Sequence, residues 1–485
     1  KIQIKLTDRM FRGYLNCPYE FHLNNNPAKL YRNINSAGGL FSGVIQPFFG
    51  IVAETFSLIG LFCMLLYSSW QLLIGGLLIL VLPAWVISRF ISRWLKKLGD
   101  MHFEKNMIVT KMLLEGLHGI KEIQVMCKQN YFSKMFKLNV LEINKILRIQ
   151  KIVSLIPRMS MEILVVGTLV FAVGVMLLNG INLKDYLPLI SFFAVASVRV
   201  TVSLYKISLC FQQMNFNNAA SIEVVTELEN FKLISSNITD EQFIFKNNDV
   251  KFQREIHINN ITYFYEGANV PALNNVSAKI KKGQSVGFVG SSGAGKSTLI
   301  DVILGLLIPQ KGSLVIDGIP LNNIQILNQW KSILGYIPQS IYLRDDTLKN
   351  NIAFGMNEEE VDDNTIKKVI ELAQLQEVME ALPLGVDTII GDRGVRLSGG
   401  QRQRIAIARA LYHNPEVILM DEATSALDNK TEAEFMKAVE LLQQEKTIII
   451  VAHRLSTVRK CDTIYFMKDG NIEAEGTLSK LLATH

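Results

Sequence analysis

Apolar residues fill the first half of the chain in runs too long for a soluble helix. The first extends from about Phe41 to Phe90, with Arg89 its only charge after Glu54. A helix crosses a bilayer core with about 20 apolar residues, so this run predicts a hairpin of two spans, about 41–67 and 71–90. Its turn falls at Ser68-Ser69-Trp70-Gln71, where an aromatic suited to the membrane interface stands among small polar residues. A second pair of spans, 161–178 and about 186–210, flanks the polar loop from Asn179 to Asp185. Between the pairs, 107–114 and 136–149 carry apolar residues three and four apart, the helical period, and Gly116 and Gly119 interrupt them. The spans are therefore expected to run on beyond the bilayer as helices that turn near "GLHGIKEIQV". Residues 217–250 turn polar and predict a linker. From Lys251 onward short β-rich runs alternate with glycine turns and helical stretches, the pattern of an α/β domain.

Composition agrees with this division. The chain is 49% hydrophobic and only 19% charged, which excludes an ordinary soluble enzyme, and its net charge of +6 is too small for a nucleic-acid binder. Where the basic residues lie matters more. From Arg89 to Arg158 there are fourteen Lys or Arg against five Asp or Glu, whereas the two short turns hold only Lys184. By the positive-inside rule the long segment is cytoplasmic. The five cysteines, Cys17, Cys63, Cys127, Cys210 and Cys461, show neither paired nor metal-ligand spacing, so reduced structural thiols are expected. The chain opens on Lys1 with no signal peptide in view, which points to a shortened N-terminus.

The second half carries the chemistry. "VGFVGSSGAGKSTLIDVILGLL" sets an apolar strand, Val286 to Val289, before Gly290, Gly293, Gly295, Lys296 and Ser297, with a helical run after them. This is the GxxxxGK[ST] phosphate loop in its required strand-loop-helix context. Backbone N–H groups of Gly290, Ser291, Ser292, Gly293, Ala294 and Gly295, with Thr298 behind them, are expected to surround the phosphates of ATP at a helix N-terminus. Lys296 is expected to reach the β- and γ-phosphates and Ser297 to ligate Mg²⁺. Downstream, "VILMDE" ends a strand buried on both faces in Asp421, a magnesium-shell carboxylate, and Glu422, placed to polarise the attacking water. In "LSGGQRQRIAIARAL", Ser398, Gly399, Gly400 and Gln401 open a helix and form a second anion cradle. One domain needs one cradle, so the second implies a dimer in which Ser398, Gly400 and Gln401 serve the ATP of the other subunit.

Phosphate loop, LSGGQ and "DEATSALD" in this order resemble the ABC ATPase family, from about Ile256 to the C-terminus. The resemblance implies further roles. Tyr265 in "ITYFYEG" matches the aromatic that stacks on adenine, with Tyr263 as the neighbouring alternative. Gln339 in "GYIPQS" matches the glutamine that contacts Mg²⁺ and water and senses the transmembrane domain. Asp428 matches the residue closing "SALD", and His453 in "VAHRLST" the switch histidine on the γ-phosphate. Asp392 in "IGDRG" departs from the glutamate common in exporters, a difference that bears on coupling rather than hydrolysis.

Fused behind a polytopic helical region, this ATPase resembles the ABC exporter half-transporter. The implied fold is a transmembrane α-helical domain, 1–216, a linker, 217–250, and an α/β nucleotide-binding domain, 251–485. On this likeness the four spans are the third to sixth of the usual six. "NNNPAKLYRNINS" is then the cytoplasmic turn between the second and third spans, and "GLHGIKEIQV" the next such turn. Charges inside apolar spans are costly and face a cavity or a partner, which singles out Glu54, Glu162 and Arg199. Arg199 and Lys206 lie seven apart, on one helix side, and could offer cations to a phosphate headgroup; for Arg158 and Lys206 the expectation is snorkelling to the interface. The "IPRMSMEI" stretch, the "GYIPQSIYLRDDTLKNNIAFG" segment and the general spacing are further similar to bacterial lipid-linked oligosaccharide flippases. That likeness implies an ATP-hydrolysing homodimer in the bacterial cytoplasmic membrane, with a lipid-linked or related amphipathic cargo and no nucleic acid. Export of a lipid, peptide or drug, or ATP-gated conduction without pumping, are the alternatives.

Overall fold

The computed structural model describes residues 1–68, 81–179, 183–235, 252–391, 397–423, 432, 439, 442–443, 445–452 and 454–484. The chain forms two compact units, Lys1–Cys17 with Phe21–Asn237, and Ile238–His485 with Pro18–Glu20.

The first unit is helical: α1 (Ile2–Leu15), α2 (Tyr19–Asn24), α3 (Pro27–Leu40), α4 (Gln46–Ser68), α5 (Leu82–His118), α6 (Ile120–Val125), α7 (Gln129–Leu178), α8 (Leu183–Phe216) and α9 (Asn218–Ser235). Among the described residues three stretches are long and apolar enough to cross a membrane: Pro27–Met64, Gln129–Leu178 and Ile190–Phe216. They carry large apolar side chains such as Phe56, Val170, Phe171 and Val195 outward, as lipid-facing helices do. Of the expected span 71–90 and the turn before it, residues 69–80 lie outside the described residues. The remainder opens α5 with Pro83 in its first turn, where a missing N–H costs nothing. Helices α3 and α4 are joined by a π-turn, Phe41–Ile45, and Gln213 Nε2 donates to the Ser42 carbonyl beside it (3.2 Å).

Two expectations are corrected. The "NNNP" segment is not a turn that reaches Ser36. Asn26 caps α3 by accepting from the Ala28 N–H (2.8 Å), and Pro27 occupies its first position, so the chain is helical from Pro27 and the turn lies upstream. Residues 218–235, expected as linker, form α9. Val224, Leu228 and Phe231 make a one-sided stripe that packs with Met10, Tyr14 and Ala37. Polar composition hid this stripe; its spacing of four and three is helical. The turn around Gly119 falls where the sequence put it, between α5 and the short α6. Gly116, however, lies within α5.

The second unit is built on two sheets. Strands β1 (Glu255–Tyr263), β2 (Leu273–Lys281), β4 (Lys311–Ile316) and β5 (Ile319–Pro320) form an antiparallel sheet in the order β2-β1-β4-β5. The other contains β3 (Ser285–Gly290), β6 (Leu334–Ile337), β7 (Val417–Asp421), β8 (Thr447–Val451), β9 (Thr463–Lys468) and β10 (Asn471–Gly476), in the order β10-β9-β3-β8-β7-β6. Its central members are parallel and buried along their length, which explains their unbroken apolar runs. Helix α10 (Lys296–Ile303) follows β3 and buries Leu299, Ile300, Val302 and Ile303. Further on come α11 (Ile324–Ser332), α12 (Leu348–Ile352), α13 (Asp363–Leu372), α14 (Gln376–Ala381) and α15 (Gly399–Tyr412).

Close helix packing in the first unit rests on Gly99: a β-carbon there would stand 2.0 Å from the Phe216 carbonyl oxygen, whereas one at Gly116 would meet nothing within 4 Å. Gly99→Ala is expected to destabilise by about 1–3 kcal/mol through overpacking, and Gly116→Ala to stabilise by up to ~1 kcal/mol, since alanine is the better helix former. Thermal unfolding of both variants in one detergent checks this.

Candidate nucleotide site

The site begins where β3 turns into α10. At Gly290 a β-carbon would stand 2.2 Å from the Met467 carbonyl oxygen, and at Gly295, with φ +95°, it would stand 2.5 Å from that of Ala272. Only glycine fits both ends of this turn. Lys296 is buried and folds its ammonium across the loop, donating to the carbonyls of Gly290 (3.0 Å) and Ser291 (2.8 Å). Burial holds its pKa below the ordinary lysine value, and the charges of Glu422 and Asp421 oppose that shift. Ser297 and Thr298 occupy the first turn of α10, whose N-terminus points partial positive charge at the loop.

Tyr263 is buried and Tyr265 37% exposed, the two rings meeting edge to face at 5.1 Å. The Tyr265 hydroxyl lies 3.1 Å from Thr298 Oγ1, so of the two tyrosines it is the one beside the loop with a ring open to a ligand. Strand β7 lies two strands from β3 and delivers Asp421 at its end; Glu422 follows with φ +48°, a left-handed conformation that a glutamate rarely adopts. The Glu422 N–H donates to the Val451 carbonyl (2.9 Å), which pins this backbone, and its Oε2 accepts from Gln339 Nε2 at 2.6 Å. Strained backbone held by its surroundings is frequent at functional sites. The structure thus brings Lys296, Gln339, Asp421 and Glu422 around one loop. Ser297, Gln339 and Asp421 are hard oxygen donors suited to Mg²⁺.

Ser398 caps α15 reciprocally with Gln401: the Gln401 N–H donates to Ser398 Oγ (3.2 Å) and the Ser398 N–H to Gln401 Oε1 (2.9 Å). Gly399 and Gly400 form the first turn of that helix. The helix is tied to the segments on either side of Gln339: Gln403 Nε2 donates to the Pro338 carbonyl (3.2 Å) and Arg409 to the carbonyls of Asn351 (2.8 Å) and Tyr342 (2.9 Å). Asp428, His453 and Asp392 lie outside the described residues.

Two residues were not singled out by the sequence. Asp301 sits on α10, and burial, followed by the charge of Asp421, pushes its carboxyl up to about 6. The buried Glu432 accepts from Arg454 Nη1 (2.8 Å) at one oxygen, and from Ser456 (3.1 Å) and Thr457 (3.2 Å) at the other. It therefore anchors the turn that directly follows position 453. The only signal was a carboxylate four residues past "SALD" paired with the basic "HRLST", and local pattern does not link them.

Comparison with known proteins covers both units. The description "ABC transporter transmembrane region" matches residues 1–200 and "ABC transporter" residues 273–425. The ATP-dependent lipid A-core flippase of Salmonella typhimurium is 30% identical over 504 residues, covering 100% of this chain and 82% of that protein. The protein of the same description from Vibrio vulnificus is 29% identical over 479 residues, covering 98% and 79%. A solved bacterial Atm1-family ABC exporter with ATP bound shares the fold, with a TM-score of 0.83 at 22% identity over 99% of this chain and 83% of that one.

Two outcomes follow from the geometry. An aspartate raised in the folded state binds a proton that the unfolded chain releases near pH 4, so its contribution to stability falls as pH rises from about 4 to 6. Asp301→Asn should flatten that slope in denaturant unfolding of the nucleotide-free protein and raise stability at pH 7; an unchanged slope contradicts the assignment. Glu432→Ala should slow ATP turnover by about ten- to a hundredfold while ATP binding persists. Glu432→Gln should fall between, since its amide oxygen still accepts from Ser456 and Thr457. Steady-state kinetics read both.

Proposed function

The chain belongs to the ABC transporter family, as a half-transporter whose membrane region is fused to an ATPase, and on that premise we propose that it flips a lipid-linked saccharide across the bacterial cytoplasmic membrane. Nucleotide binding and hydrolysis come with the ATPase domain. The observation that carries the catalytic assignment is the 2.6 Å contact between Gln339 and Glu422 beside the phosphate loop. Glu422 accepts a proton from the attacking water, and Gln339 orients that carboxylate. Lys296, beside the carbonyls of Gly290 and Ser291, binds the β- and γ-phosphates, and His453 donates to the γ-phosphate. Tyr265 stacks on adenine. Ser297, Asp421 and Gln339 would hold magnesium, which would neutralise the phosphate charge that develops during transfer.

The working unit is a homodimer. Ser398, Gly400 and Gln401 of one copy face the ATP bound by the other. ATP binding closes the paired domains and turns the membrane region outward, and hydrolysis with product release resets it. The cargo reading draws on the flippase description of the relatives. Cationic residues in the spans, Arg199 and Lys206, support an anionic headgroup, with Glu54 beside them, whereas Glu162 pairs with Arg158 on its own helix (2.8 Å).

Glu422→Gln should retain ATP binding and lose hydrolysis by about 10²–10⁴-fold. ATPase rates in lipid, with bound nucleotide measured alongside, decide this. Wild-type turnover in the variant would remove Glu422 from the role of base.

A further inference from the structure

Within the apolar spans of the first unit, α4 and α8 share one polar cluster. Arg199, Ser203 and Lys206 recur at intervals of four and three and so stand on one side of α8. Lys206 Nζ donates to Glu54 Oε1 at 2.7 Å and Ser203 Oγ to Glu54 Oε2 at 2.7 Å. Three residues along α4, Ser57 Oγ accepts from Arg199 Nη2 at 2.9 Å. Lys206 therefore does not act as the free interfacial snorkeller that the sequence suggests. It is ion-paired across two helices.

The exposures are unequal. The Glu54 side chain is 14% exposed and that of Lys206 51%. Among the described residues Arg199, itself exposed, pairs with no carboxylate; its partner is the neutral Ser57. The cluster thus holds two cations and one anion, with the anion tucked in and the cations open. Charges at membrane depth are retained where they meet a cavity or a partner. The partner here is supplied in advance by the protein.

A bilayer presents monoanionic phospholipids in vast excess over any particular cargo. A bare pair of cations would collect them. With Glu54 in place, a monoanion meets a site whose net charge is only that of one cation, and it must replace a carboxylate already held by two short hydrogen bonds. A headgroup with two or more negative charges gains more from Arg199 and Lys206 together than the carboxylate does. We propose that Glu54 is a built-in counter-ion that makes the Arg199–Lys206 site selective for multiply charged phosphate headgroups and closes it to the monoanionic lipids of the membrane. Discrimination by a repulsive element is a general route to specificity. This inference rests on the cargo reading above and adds to it the reason that ordinary phospholipid is rejected.

The test uses the full-length protein in nanodiscs of zwitterionic lipid, doped with a polyprenyl diphosphate or with phosphatidylglycerol, and reads the lipid concentration that half-maximally stimulates ATPase activity. Wild type should respond to the diphosphate at far lower concentration than to phosphatidylglycerol. Glu54→Gln should shrink that ratio by about tenfold or more, since removing a like charge favours the monoanion. Ser203→Ala, which keeps every charge and loosens the carboxylate, should shift the ratio the same way by less, and it serves if Glu54→Gln does not assemble. A response of wild type to the diphosphate with an unchanged ratio in both variants overturns the counter-ion alone. No response of wild type to either lipid overturns the anionic-cargo reading, and the counter-ion with it.

Discussion

The backbone turn from Gly290 to Gly295 is the constraint on which the second unit is organised. Carbonyl oxygens of Met467 and Ala272 occupy the space where side chains would begin, so the loop is wedged between neighbouring segments and cannot relax outward. Strand β3 is gripped by β8 and β9 on either side, and α10 leaves it with four buried apolar residues. The helix N-terminus and the loop N–H groups are therefore fixed by packing, which is the preorganisation that electrostatic stabilisation of phosphate requires. Because β7 lies in the same sheet, Asp421 and Glu422 inherit that rigidity. The left-handed backbone at Glu422 is tied to Val451, so its surroundings override local conformational preference there.

The first unit obeys a different solvent. Its helices present apolar side chains outward and keep their backbone bonds internal, so specificity between helices comes from small residues and a few polar contacts. The Ser88–Ser208 hydroxyl pair (3.1 Å) and the Glu54–Lys206 ion pair are such contacts. Outside the apolar runs, charge takes over: Lys105 pairs with Glu142 between α5 and α7 (2.6 Å), and the Arg32 guanidinium lies 3.9 Å from the centre of the Phe103 ring.

What could be read in the sequence was what depends on neighbours along the chain. Glycine spacing, a lysine and a hydroxyl after a strand identify the phosphate loop because the turn and the helix N-terminus are local. The buried strands announced themselves as apolar runs for the same reason. Helix α9 was hidden because the stripe of Val224, Leu228 and Phe231 has meaning only beside Met10 and Tyr14, from the start of the chain. Asn26 and Pro27 were a local signal, a cap followed by a first-position proline, and the surrounding asparagines masked it as a turn. Lys206 and Glu54 lie 152 positions apart, and Glu432 reaches Arg454 across 22; no periodicity reveals either pair. Asp301 looked like one polar residue on a helix until the fold set it near Asp421.

In the proposed function, ATP hydrolysis at this site moves a lipid-linked saccharide between leaflets. Its most direct measurement is translocation of a headgroup-labelled polyprenyl-diphosphate saccharide in proteoliposomes, read by protection of the label from an impermeant quencher or enzyme. Movement that requires ATP and stops when hydrolysis is blocked is the predicted result. Steady ATP hydrolysis in the presence of that lipid, with the label remaining in its original leaflet, would contradict it.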